Sequence, residues 1–265
     1  MPILTSPKIS VIIPAYNEEK YIERTLESIK KQNFSEYEVI VVANGCTDKT
    51  EEKVKKYQNN QNKNLRLLSL PKANVSVARN AGALNAQGAL LVFLDADTSL
   101  TADALQMISE GFTEKHAVAT TLALPQEKKI KYQLTQWFKN INHYSKIYKG
   151  CSGVLICRKK EFHAVGGYNP QLSVKEHRKL TLKLLEVGKY CCIPTYATTS
   201  MRRFEQWGVL KVSKFWITQW AKDTFNENKK PRGFLMFVGK FIFPLQGEGI
   251  QTRQTIESTV YDKVR

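Results

Sequence analysis

Asp95 and Asp97 stand one residue apart, with Ala96 between them, at the end of the apolar run 89–94. Two carboxylates in that spacing offer hard oxygen donors of the kind that bind Mg2+ or Mn2+ and bridge to phosphate oxygens. If an extended strand carries both, alternate side chains share a side and the pair faces one ligand. The competing reading is structural, because Asp97-Thr98 also precedes a helical pattern and can cap it. The other ligand-type side chains form no comparable set. His116, His143 and His163 have no metal-ligand spacing with one another. The five cysteines include no CxxC pair, so neither a zinc site nor a disulfide framework is indicated.

Carboxylates at the end of an apolar run need a sheet to carry them. The first 110 residues alternate between strand and helix patterns. Strands are predicted at 9–15, 37–44, 65–70 and 89–97, and helices at 18–32, 47–60, 75–87 and 101–112. This rhythm predicts an α/β fold, a Rossmann-like and mostly parallel central sheet with helices on both faces. In such a sheet ligands collect at the carboxyl ends of the strands. The segments PAYNEE, ANGCTDKT and DADTSL all reach that edge. The second half is less regular. Strands are expected at 117–124, 152–158 and 190–198, and a helix with one apolar face at 132–148. A further helix is expected over 176–189, and Gly166-Gly167 suggests a tight loop before Tyr168.

The chain carries 40 Lys and Arg against 24 Asp and Glu, a net charge of +16 over 265 residues. Such a surface favours anionic partners. The cations are scattered and no nucleic-acid module is evident, so no nucleic-acid partner is expected. No run reaches the ~18 apolar residues of a membrane span. The start of the sequence lacks a secretory pattern, so a cytoplasmic setting is expected.

Taken in order, several blocks resemble the family 2 glycosyltransferases, which have the GT-A fold. These are VIIPAYNEEKYI, VVANGCTDKT, ARNAGALNAQGALLVFLDADTSL, SGVLICRKKEFHAVGGYNP and EHRKLTLKLLEVGK, spread over roughly 8–210. The resemblance implies transfer of a sugar, with inversion, from a nucleoside-diphosphate donor. It implies that Pro14, Tyr16 and Glu18 frame the base. Asn44 stands where many members carry an acidic residue that contacts it. Arg79 and Asn80 would lie near the nucleotide, and Asp95, Ala96 and Asp97 would form the metal-binding DxD. Arg202 and Arg203 would neutralise the departing diphosphate. Gly167, Tyr168 and Trp207 fall on the acceptor side, with Tyr168 either stacking on a sugar or covering the core. In the family a Glu-Asp pair opens the late helix and its Asp serves as base. Here Glu176 matches the Glu and His177 replaces the Asp.

Three readings of that replacement stay open. His177 is the base, since an unperturbed imidazole titrates near ~6.5. Glu176 takes the role. Or the acceptor is already ionised, as a lipid phosphate would be, and needs little base help. A fourth reading is a nucleotide-sugar-binding scaffold without efficient catalysis. The absence of glycine in PAYNEEKY argues against nucleotidyl transferases and dinucleotide dehydrogenases, which want a Gly-rich loop there. Within the expected organisation, a transferase domain spans 1–207, with a nucleotide half to about 115 and an acceptor half after it. A basic, aromatic and helical tail follows at 208–265. Its segments 209–225 and 232–247 either pack on protein or lie peripherally on an anionic membrane, which would suit a lipid-linked rather than a free sugar acceptor.

Overall fold

The computed structural model describes residues 7–61, 64–146, 149–151, 153–172 and 174–208, with four single positions beyond. In chain order the elements are β1 (Ile9–Ala15), α1 (Ile22–Lys30), β2 (Tyr37–Asn44), α2 (Thr50–Gln61), β3 (Leu65–Leu70), α3 (Val75–Asn85), β4 (Leu90–Leu94) and β5 (Thr98–Leu100). There follow α4 (Ala104–Gly111), β6 (His116–Pro125), α5 (Ile130–Tyr144), β7 (Val154–Arg158), α6 (Lys159–Ala164), α7 (Glu176–Leu184), β8 (Lys189–Thr199) and α8 (Arg202–Trp207). The chain divides into two compact units, Met1–Ser200 and Met201–Arg265. The helical tail expected at 208–265 lies outside the described residues apart from Gly208 and those four positions.

One sheet of eight strands in the order β3-β2-β1-β4-β7-β6-β8-β5 organises the first unit. The strands β3, β2, β1 and β4 run parallel, β7 pairs antiparallel with β4 and β6, and β8 lies parallel to β6. Every residue of β1 is buried, as a central parallel strand covered on both faces requires. Its alternate residues serve two cores. Ile9, Val11 and Ile13 join the cluster that includes Leu26 of α1 and Ile108 of α4, while Ile12 joins the one that includes Ala78 of α3 and Leu180 of α7. Burial of Ile22, Thr25, Leu26 and Ile29 fixes α1 by one helical face.

One expectation is corrected. The fourth strand stops at Leu94 rather than 97. Thr98 N donates to the Asp95 carbonyl at 3.0 Å, so Asp95–Thr98 is a turn, and β5 leaves it to pair antiparallel with β8. The helix expected at 132–148 forms as α5, and its apolar face does not meet the sheet. Tyr132, Gln136 and His143 are its buried residues, and the apolar stripe faces outward.

The lower edge of the sheet is held by a polar knot. Ser10 Oγ donates to Glu38 Oε1 at 2.6 Å and accepts from Gly88 N at 2.8 Å, while Arg66 pairs with Glu38. A Cβ on Gly88 would lie 2.7 Å from Ser10 N and 2.8 Å from the Ile9 carbonyl carbon. Both neighbours are backbone, so β1 or β4 would have to move. Gly88→Ala is expected to lower stability by about 1–3 kcal/mol, the range for overpacking a tight core. Urea unfolding of the two proteins checks it, and an unchanged midpoint contradicts it.

Candidate active site

The carboxyl edge of β1, β2 and β4 is built from loops that hold one another through side-chain amides and carboxylates. Asn17, at φ 53°, exchanges hydrogen bonds with Thr47: its Nδ2 donates to Thr47 Oγ1 at 3.2 Å and its Oδ1 accepts from Thr47 N at 2.8 Å. Asp48 accepts from Glu19 N at 3.1 Å and from Thr50 N at 3.0 Å, so it ties the first loop to the start of α2. Thr50 Oγ1 in turn accepts from Glu18 N at 2.8 Å. Pro14 is buried within β1, and Tyr16 and Glu18 follow it, half-buried, in this loop.

Asn44 is 1% exposed and spends both ends of its amide on backbone. Nδ2 donates to the Ala15 carbonyl at 2.9 Å, and Oδ1 accepts from Asn74 N at 2.8 Å. The side chain thus ties β1, β2 and the start of α3 together. A carboxylate, which only accepts, could not make both bonds. Asn74 then caps α3 by accepting from Val77 N at 3.0 Å.

The turn that carries the two aspartates is held from α1. Thr25 Oγ1 donates to the Ala96 carbonyl and Arg24 Nη2 to the Asp97 carbonyl, each at 2.7 Å. Nothing in the spacing of α1 marks Arg24 or Thr25 for this, beyond their place in a helix beside the edge. Because the backbone turns at Ala96, the two carboxylates do not share a side by strand alternation, as an extended chain would have required.

Arg79 gathers the charges. It is 3% exposed, which excludes a surface cation. Nη2 donates to Asp95 Oδ1 at 2.9 Å and Nη1 to Glu176 Oε1 at 3.1 Å. Its guanidinium also lies 5.2 Å from the centre of the Tyr168 ring. Burial raises the pKa of Asp95, but His177 and then Arg79 outweigh it and hold that carboxyl well below the usual carboxylate range. Glu176 behaves alike: burial opposes its ionisation, and Arg79 followed by His177 lowers its pKa.

Tyr168 is 1% exposed and packs edge-on against Phe93 at 5.1 Å, with Phe162 at 5.8 Å. A ring so enclosed cannot stack on a sugar, and of the two expected roles it takes the one in the core. Its hydroxyl meets His177 Nδ1 at 2.9 Å. Burial pushes the phenol well up, so it stays neutral and can donate. When the phenol donates, Nδ1 accepts and Nε2 carries a proton. That atom is buried, has no hydrogen-bond partner among the described residues and lies 4.0 Å from Asp95 Oδ1.

Asn80 secures this loop, donating to the Tyr168 carbonyl at 2.8 Å and accepting from Tyr168 N at 3.0 Å. Gly167, at φ 61°, has no room for a Cβ, which would fall 2.8 Å from Asn80 Oδ1 and 3.0 Å from the Phe162 ring. Sequence spacing pointed to neither the Asn80 clamp nor the Tyr168–His177 contact, since both join residues far apart or on different elements. Arg202 and Trp207 lie on α8 in the second unit, and the side chain of Arg203 lies outside the described residues.

No cluster of three His, Cys, Asp or Glu side chains able to hold a metal occurs among the described residues. Asp95 and Asp97 have the hard oxygen donors that would suit a divalent cation taking its other ligands from a diphosphate and water. Asp95 keeps 38% of its side chain exposed despite its pairing with Arg79.

The comparisons with known proteins fit this architecture. The family model described as glycosyl transferase family 2 matches residues 10–198, and the chain belongs to that family. Its fold is the GT-A type of α/β sheet. The Staphylococcus aureus poly(ribitol-phosphate) beta-N-acetylglucosaminyltransferase TarS is 36% identical over 112 residues, covering 42% of this chain and 20% of that protein. A Pasteurella multocida chondroitin synthase is 27% identical over 190 residues, covering 69% of this chain and 19% of that protein. The chain thus spans about a fifth of the length of these curated relatives. Among solved structures, TarS 1-349 in complex with UDP-GlcNAc has a TM-score of 0.59 at 26% identity, over 72% of this chain and 58% of that one. A Pyrobaculum calidifontis mannosyltransferase with GDP-Man and Mn2+ has a TM-score of 0.68 at 19% identity, over 86% and 66%.

The depressed pKa values of Asp95 and Glu176 carry a sign. Groups that ionise more readily folded than unfolded add stability above their unfolded pKa, about 4. That stability is lost as pH falls through the lower folded values. Wild-type stability is expected to be level above about pH 5 and to drop towards pH 2. Asp95→Asn/Glu176→Gln should be less stable at neutral pH and shallower on the acid limb. Denaturant midpoints across pH check this, and parallel curves for the two proteins contradict it.

Proposed function

We propose that this chain transfers a sugar from a nucleoside-diphosphate donor to an acceptor, in a metal-dependent and inverting reaction. One observation carries the reading. In a chain of this family, Asp95 stands at the end of β4, paired with the buried Arg79, and Asp97 follows in the same turn. The names of the similar structures, with UDP-GlcNAc in one and GDP-Man and Mn2+ in another, favour a nucleotide-sugar donor and Mn2+ or Mg2+.

Under this reading the nucleotide lies along the loops after β1 and β2, beside Pro14, Tyr16 and Glu18. Asn44 acts by holding those loops together. Asp97 and the open edge of Asp95 hold the cation, which when bound offsets charge on the leaving diphosphate. Arg79 keeps Asp95 ionised and in place. We keep 1–207 as the transferase domain and 208–265 as a basic extension.

The acceptor side offers Glu176 and His177 as candidate bases. Glu176 is ionised and can take a proton, but its lowered pKa leaves it little driving force. His177 has Nδ1 against the Tyr168 hydroxyl, and its Nε2 lies 4.0 Å from Asp95 Oδ1, beyond hydrogen-bond distance. Such a site suits an acceptor that is already ionised, as a phosphate-bearing or lipid-linked one is. The excess of basic residues supports a cytoplasmic protein peripheral to an anionic membrane. No helix among the described residues is long and apolar enough to cross one. The engagement of both candidate bases also favours a second reading, a scaffold that binds the donor without turning it over.

Calorimetric titration of UDP, GDP and dTDP, each with Mn2+, Mg2+ or chelator, tests the proposal. One nucleotide is expected to bind with metal, and Asp97→Ala should weaken it at least about tenfold, or 1.4 kcal/mol. Release of nucleotide from the matching sugar donor separates the enzyme from the scaffold, which would bind and release nothing. No binding of any of the three by folded protein overturns both readings.

A further inference from the structure

The outward face of α5 is apolar along its whole length. Ile130, Leu134, Trp137, Phe138, Ile141 and Tyr144 are each between 43% and 75% exposed. At 100° per residue they share an arc of about 120°, on a helix about 22 Å long. The opposite side is fastened to the sheet by polar groups. Asn140 Nδ2 donates to the Ala123 carbonyl at 2.9 Å, and its Oδ1 accepts from Ala123 N at 2.8 Å. His143 Nδ1 meets the Tyr190 hydroxyl at 3.2 Å. The helix is therefore anchored with its apolar stripe turned away from the core. A continuous exposed patch of this kind marks a contact surface rather than scattered surface residues.

The charge around the stripe selects the occupant. Between Gln126 and Lys149 the sequence holds six lysines and one acidic residue, Glu127. Lys128, Lys131, Lys146 and Lys149 are exposed at the two ends and one flank of the stripe. A two-fold contact between copies of this chain would bring these lysines against their own kind. A surface that is apolar below and negative above satisfies both halves of the pattern. Trp and Tyr are suited to that boundary, with an apolar body and a polar tip.

From this we infer that α5 lies in the plane of an anionic lipid surface, with its apolar stripe in the acyl boundary and its lysines among the headgroups. This surface does not rest on the transferase reading, since lipid binding and nucleotide binding are measured separately and either can fail alone.

Flotation of the full chain with phosphatidylcholine vesicles, with and without phosphatidylglycerol, tests it. Binding is expected only with the anionic lipid and should weaken as salt is raised. Trp137→Glu/Phe138→Glu should lower binding at least about tenfold with no change in thermal unfolding. Brominated lipid should quench tryptophan emission, and Trp137→Phe, which keeps the stripe apolar, should remove part of that quenching. The proposal is overturned if anionic vesicles do not bind, or if the double variant binds as well as wild type. It is also overturned if wild type forms a dimer that the double variant abolishes.

Discussion

A guanidinium placed out of water fixes the rest of the site. Arg79 comes from α3, Asp95 from the end of β4 and Glu176 from the start of α7, so one side chain joins three elements. Removing such a cation from water is expensive, and its two anions offset that only if each is held in place. The surroundings meet the condition. The turn after β4 is pinned by Arg24 and Thr25, and the loop before α7 is clamped by Asn80. Replacing such a buried charge network by an apolar core is often neutral or stabilising, so stability does not account for the network. It specifies one arrangement of the carboxylates.

A second theme is the use of short amides as two-way ties. Asn17, Asn44 and Asn80 each donate from one end and accept at the other, between segments far apart in sequence. Each joins backbones that strand pairing leaves loose at the sheet edge. For Asn44 and Asn80 the resemblance to the family implied a place at or near the nucleotide; in the structure each side chain bonds to the protein backbone.

Much of the fold was legible because burial on both faces leaves a plain trace. The first three strands begin and end where their apolar runs do, at Ile9–Ala15, Tyr37–Asn44 and Leu65–Leu70. The fourth was read too long, because a turn at Asp95–Thr98 and an extended chain look alike in two carboxylates and an alanine. The side on which α5 packs was not legible either. Periodicity reveals an apolar stripe but not where it points, and here backbone hydrogen bonds from Asn140 decide. The ordered blocks that resemble the family carried the site further than any single spacing did. They placed Arg79, Asp95 and Glu176 in one neighbourhood but gave no sign that Arg79 would bind the other two. The role of Tyr168 hinged on enclosure by Phe93 and Phe162, which only tertiary packing shows.

The central claim is that Arg79 couples the end of β4 to the start of α7 through Asp95 and Glu176. A double-mutant cycle on Arg79→Met and Glu176→Gln, read by denaturant unfolding at neutral pH, measures that coupling directly. The account predicts that each single change is destabilising and that the double mutant recovers part of the loss, with a coupling of about 1–3 kcal/mol. Additivity within about 0.3 kcal/mol would contradict it, because the two groups would then contribute independently and the network would not hold the site together.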